Sequence, residues 1–340
     1  MKPHTANTLN ETLLGDHPSI VELRRLIDRV AASNARTVLI YGETGTGKGL
    51  VARLLHAGSA RRAAPFVDIN CAAIPGPLLE SELFGHEKGS FTGAVGHKQG
   101  LIEAADGGTV FLDEIRELNP VMQAKLLTLL DTRRFRRVGA IRPIDVDVRF
   151  IAATNKILLG EVNAGRFRDD LYYRLQVVAI NIPALRERGD DIFILSQAYL
   201  RACSRLHGST IMALEPEVED VFRRYSWPGN VRELENLLER ICLLESGDRV
   251  LMKHLPDRIL RDVQRDKRQA CSVNRLGLTS YHDATRQFQR ELIAHTLQAA
   301  NHNLGAAAHA LGLTRHALRH QMVKLGLKHS PEGADAPSPP

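Results

Sequence analysis

The stretch GETGTGKG, residues 42–49, restricts the fold more than any other part of the chain. It follows the apolar run TVLIYG (37–42) and precedes the helix-like pattern LVARLLHAG. This is the G-x-x-x-x-G-K core of a phosphate loop in its strand–loop–helix setting. Glycines let backbone N–H groups close around phosphate oxygens at a helix N-terminus, and Lys48 can reach the terminal phosphates. The candidate nucleotide-binding residues are Gly42, Glu43, Thr44, Gly45, Thr46, Gly47, Lys48 and Gly49. Gly49 stands where a Ser or Thr hydroxyl usually ligates magnesium, so that ligand is missing.

A nucleotide loop of this kind belongs at the edge of a parallel sheet, and the rest of the pattern agrees. Short β-branched runs recur at FVDINCA (66–72), TVFLDE (109–114), VRFIAATN (148–155) and VVAINIP (177–183), each followed by helical spacing. The alternation predicts an α/β domain, a P-loop fold with a parallel five-stranded sheet covered by helices on both faces. From about Asp190 the strand runs stop and the spacing is helical. The expected organisation is a short N-terminal segment (1–12), an α/β ATPase subdomain (13–189) and an α-helical lid (190–256). A linker (257–280), a small all-α helix–turn–helix domain (281–329) and a disordered, Pro-rich tail (330–340) follow.

GGTVFLDE (107–114) predicts a buried strand that delivers Asp113 and Glu114 to the carboxyl edge of the sheet, where ligands collect in open α/β folds. Asp113 can hold magnesium directly or through water. Glu114 can polarise a water for in-line attack on a γ-phosphate. An acid pair at a strand end says little alone; some sixty residues after a phosphate loop it points to nucleotide hydrolysis.

The opening MKPHTANTLN has no apolar core of a signal peptide, and no stretch approaches the roughly 20 apolar residues of a membrane helix. The four cysteines form no paired-spacing motif, which favours reduced thiols over a disulfide framework or zinc site. The expectation is a cytoplasmic protein without membrane insertion. Net charge is +6, and between residues 281 and 329 six Lys/Arg oppose two Asp/Glu. Within that segment NLGAAAHALGLTRHALRHQMVKLGL (303–327) reads as a helix–turn–helix. Leu304, Ala307, Ala308 and Leu311 form one apolar stripe, Gly312 and Leu313 the turn, and Thr314 an N-cap. Leu318, Met322 and Leu325 point inward, leaving Arg315, His316, Arg319, His320 and Lys324 for a major groove. Phe288 and Leu292 on the preceding helix could support dimerisation on a two-fold site.

One stretch fits neither a core nor an ordinary loop. SELFGHEKGSFTGA (81–94) sets Phe91 and Thr92 between Gly89 and Gly93. With GSFTGA (Gly89, Ser90, Phe91, Thr92, Gly93 and Ala94), the chain resembles the bacterial enhancer-binding proteins, AAA+ ATPases that activate sigma-54 RNA polymerase. The resemblance covers about Leu13 to Leu327, and GSFTGA looks like the family's GAFTGA loop with Ser90 for Ala. It implies ATP and magnesium as cofactors, sigma-54 as the partner of that loop, and upstream enhancer DNA as the partner of a Fis-like C-terminal domain. It also implies a ring, expected to be a hexamer, either homomeric or mixed with a paralogue.

Further roles follow from the resemblance. Asn70 matches the residue that restrains the catalytic Glu; Thr154 and Asn155 match the first γ-phosphate sensor. Arg168 and Arg174 fall where the family supplies arginine fingers to a neighbour, and Arg232 matches the second sensor on the lid. Locally, Asn70 could instead cap a turn, and either arginine could pair with Asp169 or Asp170. The chain departs from the family at Gly49, and DTRRFRRVGA (131–140) is more basic than the usual FxRVGG stretch. The ATPase pattern begins within about fifteen residues of Met1, the arrangement of members without an N-terminal regulatory domain. Control would then come from a separate negative regulator, a paired activator or the amount made. Two other readings compete: a DNA-binding regulator that uses ATP only to assemble, and a AAA+ unfoldase or helicase loader. The GSFTGA arm weighs against the first and the helix–turn–helix against the second.

Overall fold

The computed structural model describes residues 12–91, 93–265, 281–300 and 303–325. Most of the expected N-terminal segment, much of the expected linker and the whole expected tail lie outside the described residues. The chain divides into two compact units, residues 1–260 and 261–340.

In the first unit the five β-branched runs become strands of one parallel sheet. They are β1 (Thr37–Tyr41), β2 (Phe66–Asn70), β3 (Thr109–Asp113), β6 (Arg149–Thr154) and β7 (Ala179–Asn181). A two-stranded antiparallel hairpin, β4 (Arg134–Phe135) with β5 (Ile144–Asp145), lies between β3 and β6 in sequence. The sheet order is β2-β3-β6-β1-β7. Helices α1 (Pro18–Ala32), α2 (Lys48–Ala57), α3 (Gly76–Phe84), α4 (Leu101–Ala104), α5 (Pro120–Thr132), α6 (Leu158–Asn163) and α7 (Asp169–Leu175) are interleaved with the strands.

The two-residue period of the strands sorts the core into two layers. Val38, Ile40, Phe111 and Ile151 pack with Ile20, Leu23 and Ile27 of α1 and Val51 and Leu55 of α2. Leu39, Val110, Leu112, Phe150 and Ala152 face the other way, onto Leu79 and Leu83 of α3, Leu126 of α5 and Leu171 of α7. Register then levels the carboxyl ends: Tyr41 pairs with Thr154, and Asn70 with Asp113. Four chain segments thus end on one edge.

The lid follows as α8 (Asp191–His207), α9 (Pro216–Arg224) and α10 (Asn230–Leu244). Trp227 is its largest buried side chain, edge-on to Phe222 and Tyr225, with its indole N–H donating to the Phe222 carbonyl at 2.9 Å. Residues 257–265, expected as linker, are helical. Ile259 is buried, and Arg258 donates to Glu233 and to the Tyr225 hydroxyl. Mixed charge hid that apolar anchor in the sequence. Cys203 and Cys242, distant in sequence, are both buried, on α8 and α10, and burial, with Cys242 nearby, pushes the Cys203 thiol up to about 12. Both are free thiols.

The second unit holds α11 (Tyr281–Ala299), α12 (Leu304–Ala310) and α13 (Arg315–Lys324). Its core is Ile293, Leu297, Leu304, Ala307, Ala308, Leu318, Met322 and Leu325. Asn303 caps α12, accepting from the Gly305 and Ala306 N–H groups. Gly312 takes φ +65° at the turn, and the Thr314 hydroxyl accepts the Ala317 N–H at 3.2 Å, capping α13.

Candidate functional site

The phosphate loop leaves β1 and enters α2 at Lys48. Gly47 has φ +102°, a left-handed conformation that suits glycine and turns successive N–H groups toward one side. The Lys48 ammonium is buried and donates to the Gly42 carbonyl at 3.0 Å, with Glu114 Oε1 3.6 Å away. Glu114 has φ +53°, and its backbone N–H donates to Asp113 Oδ1 at 3.0 Å. Glu114 Oε2 is buried without a hydrogen-bond donor, as is Asn155 Oδ1. The Asn155 amide donates to Thr44 Oγ1 at 3.3 Å, tying the end of β6 to the loop. Thr154 is fully buried, its hydroxyl hydrogen-bonded to the backbone of Lys156.

An open cavity of about 490 Å³ gathers Thr44, Gly45, Gly47, Lys48 and Gly49 with Asn70, Asp113, Glu114 and Arg232, all singled out in the sequence. Leu50, Arg53 and Val231 line it as well, together with Tyr199 and Glu235 of the lid, and burial raises the pKa of both of the latter. Asn70 is turned to the backbone just after its own strand, where its Oδ1 accepts the Ala72 N–H at 2.9 Å. A Cβ at Gly49 would meet Phe111 at 3.9 Å, an ordinary contact. The absent side chain there is therefore no steric necessity.

The lid is clasped to the loop by residues that sequence reasoning missed. Asn230 is fully buried with φ +51°. Its amide donates to Glu43 Oε2 and to the Thr44 carbonyl, both at 3.1 Å, while its Oδ1 accepts the Leu185 N–H at 2.8 Å. Arg186 forks onto Glu43 at 2.5 and 2.8 Å. The Arg186 and Asn230 hydrogen bonds pull the Glu43 pKa down to about 2. Arg188, also buried, donates to the Thr46 and Pro183 carbonyls, and desolvation lowers its pKa to about 10. Gly45 is required here: a Cβ would lie 2.1 Å from the Gly229 carbonyl oxygen, and the Arg232 N–H donates to the Gly45 carbonyl. The one sequence signal was Asn directly after WPG, a residue type that tolerates left-handed backbone.

Arg168 and Arg174 do not line this cavity. Arg168 forks onto Asp170 at 2.7 and 3.0 Å. Arg174 pairs with Asp131 at 2.9 Å, and its own carbonyl accepts the hydroxyl of Thr37, the first residue of β1. That places Arg174 at the sheet's amino edge, opposite the phosphate loop.

The arm is held at its base by backbone. His86 bridges to Lys98 and to Val138, the Glu87 N–H donates to the Val138 carbonyl at 3.0 Å, and Gly89 N–H to Ala94 O at 2.9 Å. Arg137 ties Glu87 (3.1 Å) to Glu103 (2.8 Å). Phe91 stays 41% exposed, edge-on to His86 at 5.0 Å. Added Cβ atoms at Gly89 and Gly93 would meet nothing within 4 Å. Ser90 packs on Gly139, where a Cβ would fall 2.7 Å from the Ser90 Cβ. Thr92 lies outside the described residues. In the second unit Arg315 and Arg319 are exposed one turn apart on α13; the side chains of His316, His320 and Lys324 lie outside the described residues.

A P-loop sheet, a helical lid clasped to that loop, and a separate helix–turn–helix unit define a nucleotide-binding AAA+ protein with a DNA-binding module. The chain matches the Sigma-54 interaction domain over residues 13–181, the AAA+ ATPase lid domain over 186–271, and the bacterial regulatory protein Fis family over 284–325. It is 50% identical over 244 residues to the transcriptional regulatory protein ZraR of Salmonella typhimurium, covering 72% of this chain and 55% of the relative. It is 42% identical over 332 residues to the anaerobic nitric oxide reductase transcription regulator NorR of Klebsiella pneumoniae, covering 96% of this chain and 64% of that one. The crystal structure of NtrX from Brucella abortus in complex with ADP superposes with TM-score 0.69 at 33% identity, over 95% of this chain and 70% of that one. The chain belongs to the sigma-54-interacting AAA+ transcriptional regulators. It spans about 55% of the length of the ZraR relatives it matches.

Proposed function

We propose that this protein hydrolyses ATP in a ring and uses the work to activate sigma-54 RNA polymerase at promoters marked by its helix–turn–helix. The carrying observation is Glu114 on the wall of the cavity that holds Lys48 and Asp113, its Oε2 buried without a hydrogen-bond donor and 3.9 Å from Arg116 Nε. A carboxylate oxygen without a donor suits a water whose proton it takes while the water oxygen faces a γ-phosphate. Lys48 would exchange its loop carbonyls for phosphate oxygens. Arg232 would read the phosphates from the lid.

Magnesium fits as a nucleotide-borne ion. Among the described residues no cluster of three or more His, Cys, Asp or Glu could cage a metal, and magnesium characteristically keeps waters and phosphates with only one or two carboxylates. Asp113 would hold it, and it would neutralise charge developing on the phosphates.

Arg168 and Arg174 would serve a neighbour's nucleotide, a reading supported by the fact that neither lines its own cavity. That calls for a ring, with a hexamer as the expected size, of one chain or mixed with a paralogue. Asn70, now bonded to the backbone just after its own strand, would exchange that bond for Glu114 in the restrained state. The residues 89–94, tipped by Phe91 and Thr92, would then contact sigma-54, with Arg315 and Arg319 on upstream DNA. Among the described residues no helix is long and apolar enough to cross a membrane.

The test is ATP-dependent open-complex formation by sigma-54 RNA polymerase on a premelted promoter, with Thr92→Ala alongside. Opening by the unaltered chain, lost in Thr92→Ala while ATP turnover persists, supports the reading. ATP turnover without opening in either protein overturns it in favour of a regulator that spends ATP on assembly.

A further inference from the structure

Glu114 is followed by a turn that folds the chain back onto it. Its φ of +53° is left-handed, an unfavourable backbone for a residue with a Cβ. Ile115–Glu117 then form one 3-10 turn, closed by the Glu117 N–H on the Glu114 carbonyl at 3.0 Å. Residues two apart on a helix do not face each other. Here the bend at Glu114 brings Arg116 back beside it, with Nε 3.9 Å from Glu114 Oε2.

Both atoms are buried, and neither has a hydrogen-bond partner. The guanidinium is fastened at its other end, where Nη2 meets Glu117 Oε1 at 2.8 Å. The 3.9 Å gap is about 1 Å longer than a charge-assisted hydrogen bond. An anionic acceptor and a cationic donor, both out of water and both unpaired, gain by closing it. A small swing of the Glu114 side chain is enough. The opposing pull is Lys48, whose Nζ lies 3.6 Å from Oε1, and that pull ends when Lys48 turns to phosphate oxygens.

We propose that Arg116 is a positioning residue for Glu114: its Nε–H takes Oε2 and so competes with the water that this oxygen would deprotonate. The hold rests on the reading of Glu114 as the base, and it is separate from the one assigned to Asn70. Arg116 does not line the nucleotide cavity, so it acts through Glu114 and leaves nucleotide affinity alone. Cleavage slows by the fraction of time that Oε2 is taken.

The test is single-turnover cleavage of ATP by the full chain in excess over nucleotide, with the Kd of a fluorescent ADP measured alongside. Arg116→Ala should speed cleavage roughly three- to tenfold, as expected when a partner that occupies the base oxygen most of the time is removed, and leave Kd within about twofold. Arg116→Lys keeps the charge and its reach to Glu117 but has no N–H at the Nε position. It should give a similar gain, which separates the lost hydrogen bond from any misfolding of the alanine variant. Cleavage that is unchanged or slower in both variants overturns the proposal. So does a lysine variant that stays at the unaltered rate while alanine speeds up, because charge alone would then be acting. A gain matched by an equal shift in Kd also overturns it, since Arg116 would be acting on the nucleotide. If the unaltered chain cleaves no faster than Lys48→Ala while Arg116→Ala is active, the hold is supported. No cleavage by any of them overturns the hold together with the reading of Glu114 as the base. Cleavage by the unaltered chain that neither variant changes removes the hold alone.

Discussion

The nucleotide edge and the arm are built by opposite means. At the edge, side chains do the holding: Asn230 bonds to Leu185, Glu43 and Thr44, and Arg188 reaches two carbonyls from full burial. In the arm, backbone bonds fix only the base, and the tip carries glycines with open space around them. Buried side-chain networks have few alternative arrangements of similar energy, because each broken bond strands a polar group. A backbone-pinned loop with glycine joints has many. One region is therefore suited to registering a small chemical change, the other to sweeping through space.

Changes at the first region should act on chemistry or on global stability. Arg168→Ala should lower ATP turnover by on the order of 10³ or more if it serves a neighbour as an arginine finger, and Lys48→Ala should reduce it to background. Phosphate release from rings mixed with Lys48→Ala subunits would show whether Arg168 acts across the interface. Asn230→Ala strands the Leu185 N–H and the Thr44 carbonyl, leaves Glu43 to Arg186 alone, and puts alanine at φ +51°, so it should cost about 2–3 kcal/mol in urea unfolding.

Changes in the second region should leave turnover alone. Gly139→Ala places a Cβ 2.7 Å from that of Ser90 at φ +80°. It should cost about 1–2 kcal/mol locally, detected as faster proteolysis within residues 85–98 while ATP turnover is unchanged. Equal loss of both would erase the distinction between the regions. Smaller effects return to the edge. Glu43, ordinarily near 4.5, is held at about 2 by Arg186 and Asn230, so its contribution is complete above pH 4.5 and lost as pH falls toward 2. Acid unfolding of Glu43→Gln should be correspondingly less steep across that interval. Gly49→Ala, in the first turn of α2 with room for a Cβ, should raise stability by about 0.5 kcal/mol.

The sheet was legible because its three central strands bury both faces and so read as unbroken apolar runs; β6 is buried from Arg149 to Thr154. The loop, Asp113 and Glu114 were legible because phosphate chemistry fixes their spacing. The clasp was not. Asn230, Arg186 and Arg188 gain meaning only when the lid closes on residues some 140 to 190 positions earlier, and nothing local marks them. The helical state of 257–265 was masked for a related reason, since Ile259 and Val263, one turn apart, are the only buried residues among its charges. The Cys203–Cys242 contact is likewise a product of helix packing.

Ser90 and Gly139 lie forty-nine positions apart yet occupy one shared space, with the Ser90 hydroxyl buried there without a partner. The two positions should therefore trade volume during divergence: a side chain gained at 139 demands one lost at 90. Neither can drift alone, and the arm and the hairpin inherit each other's substitutions.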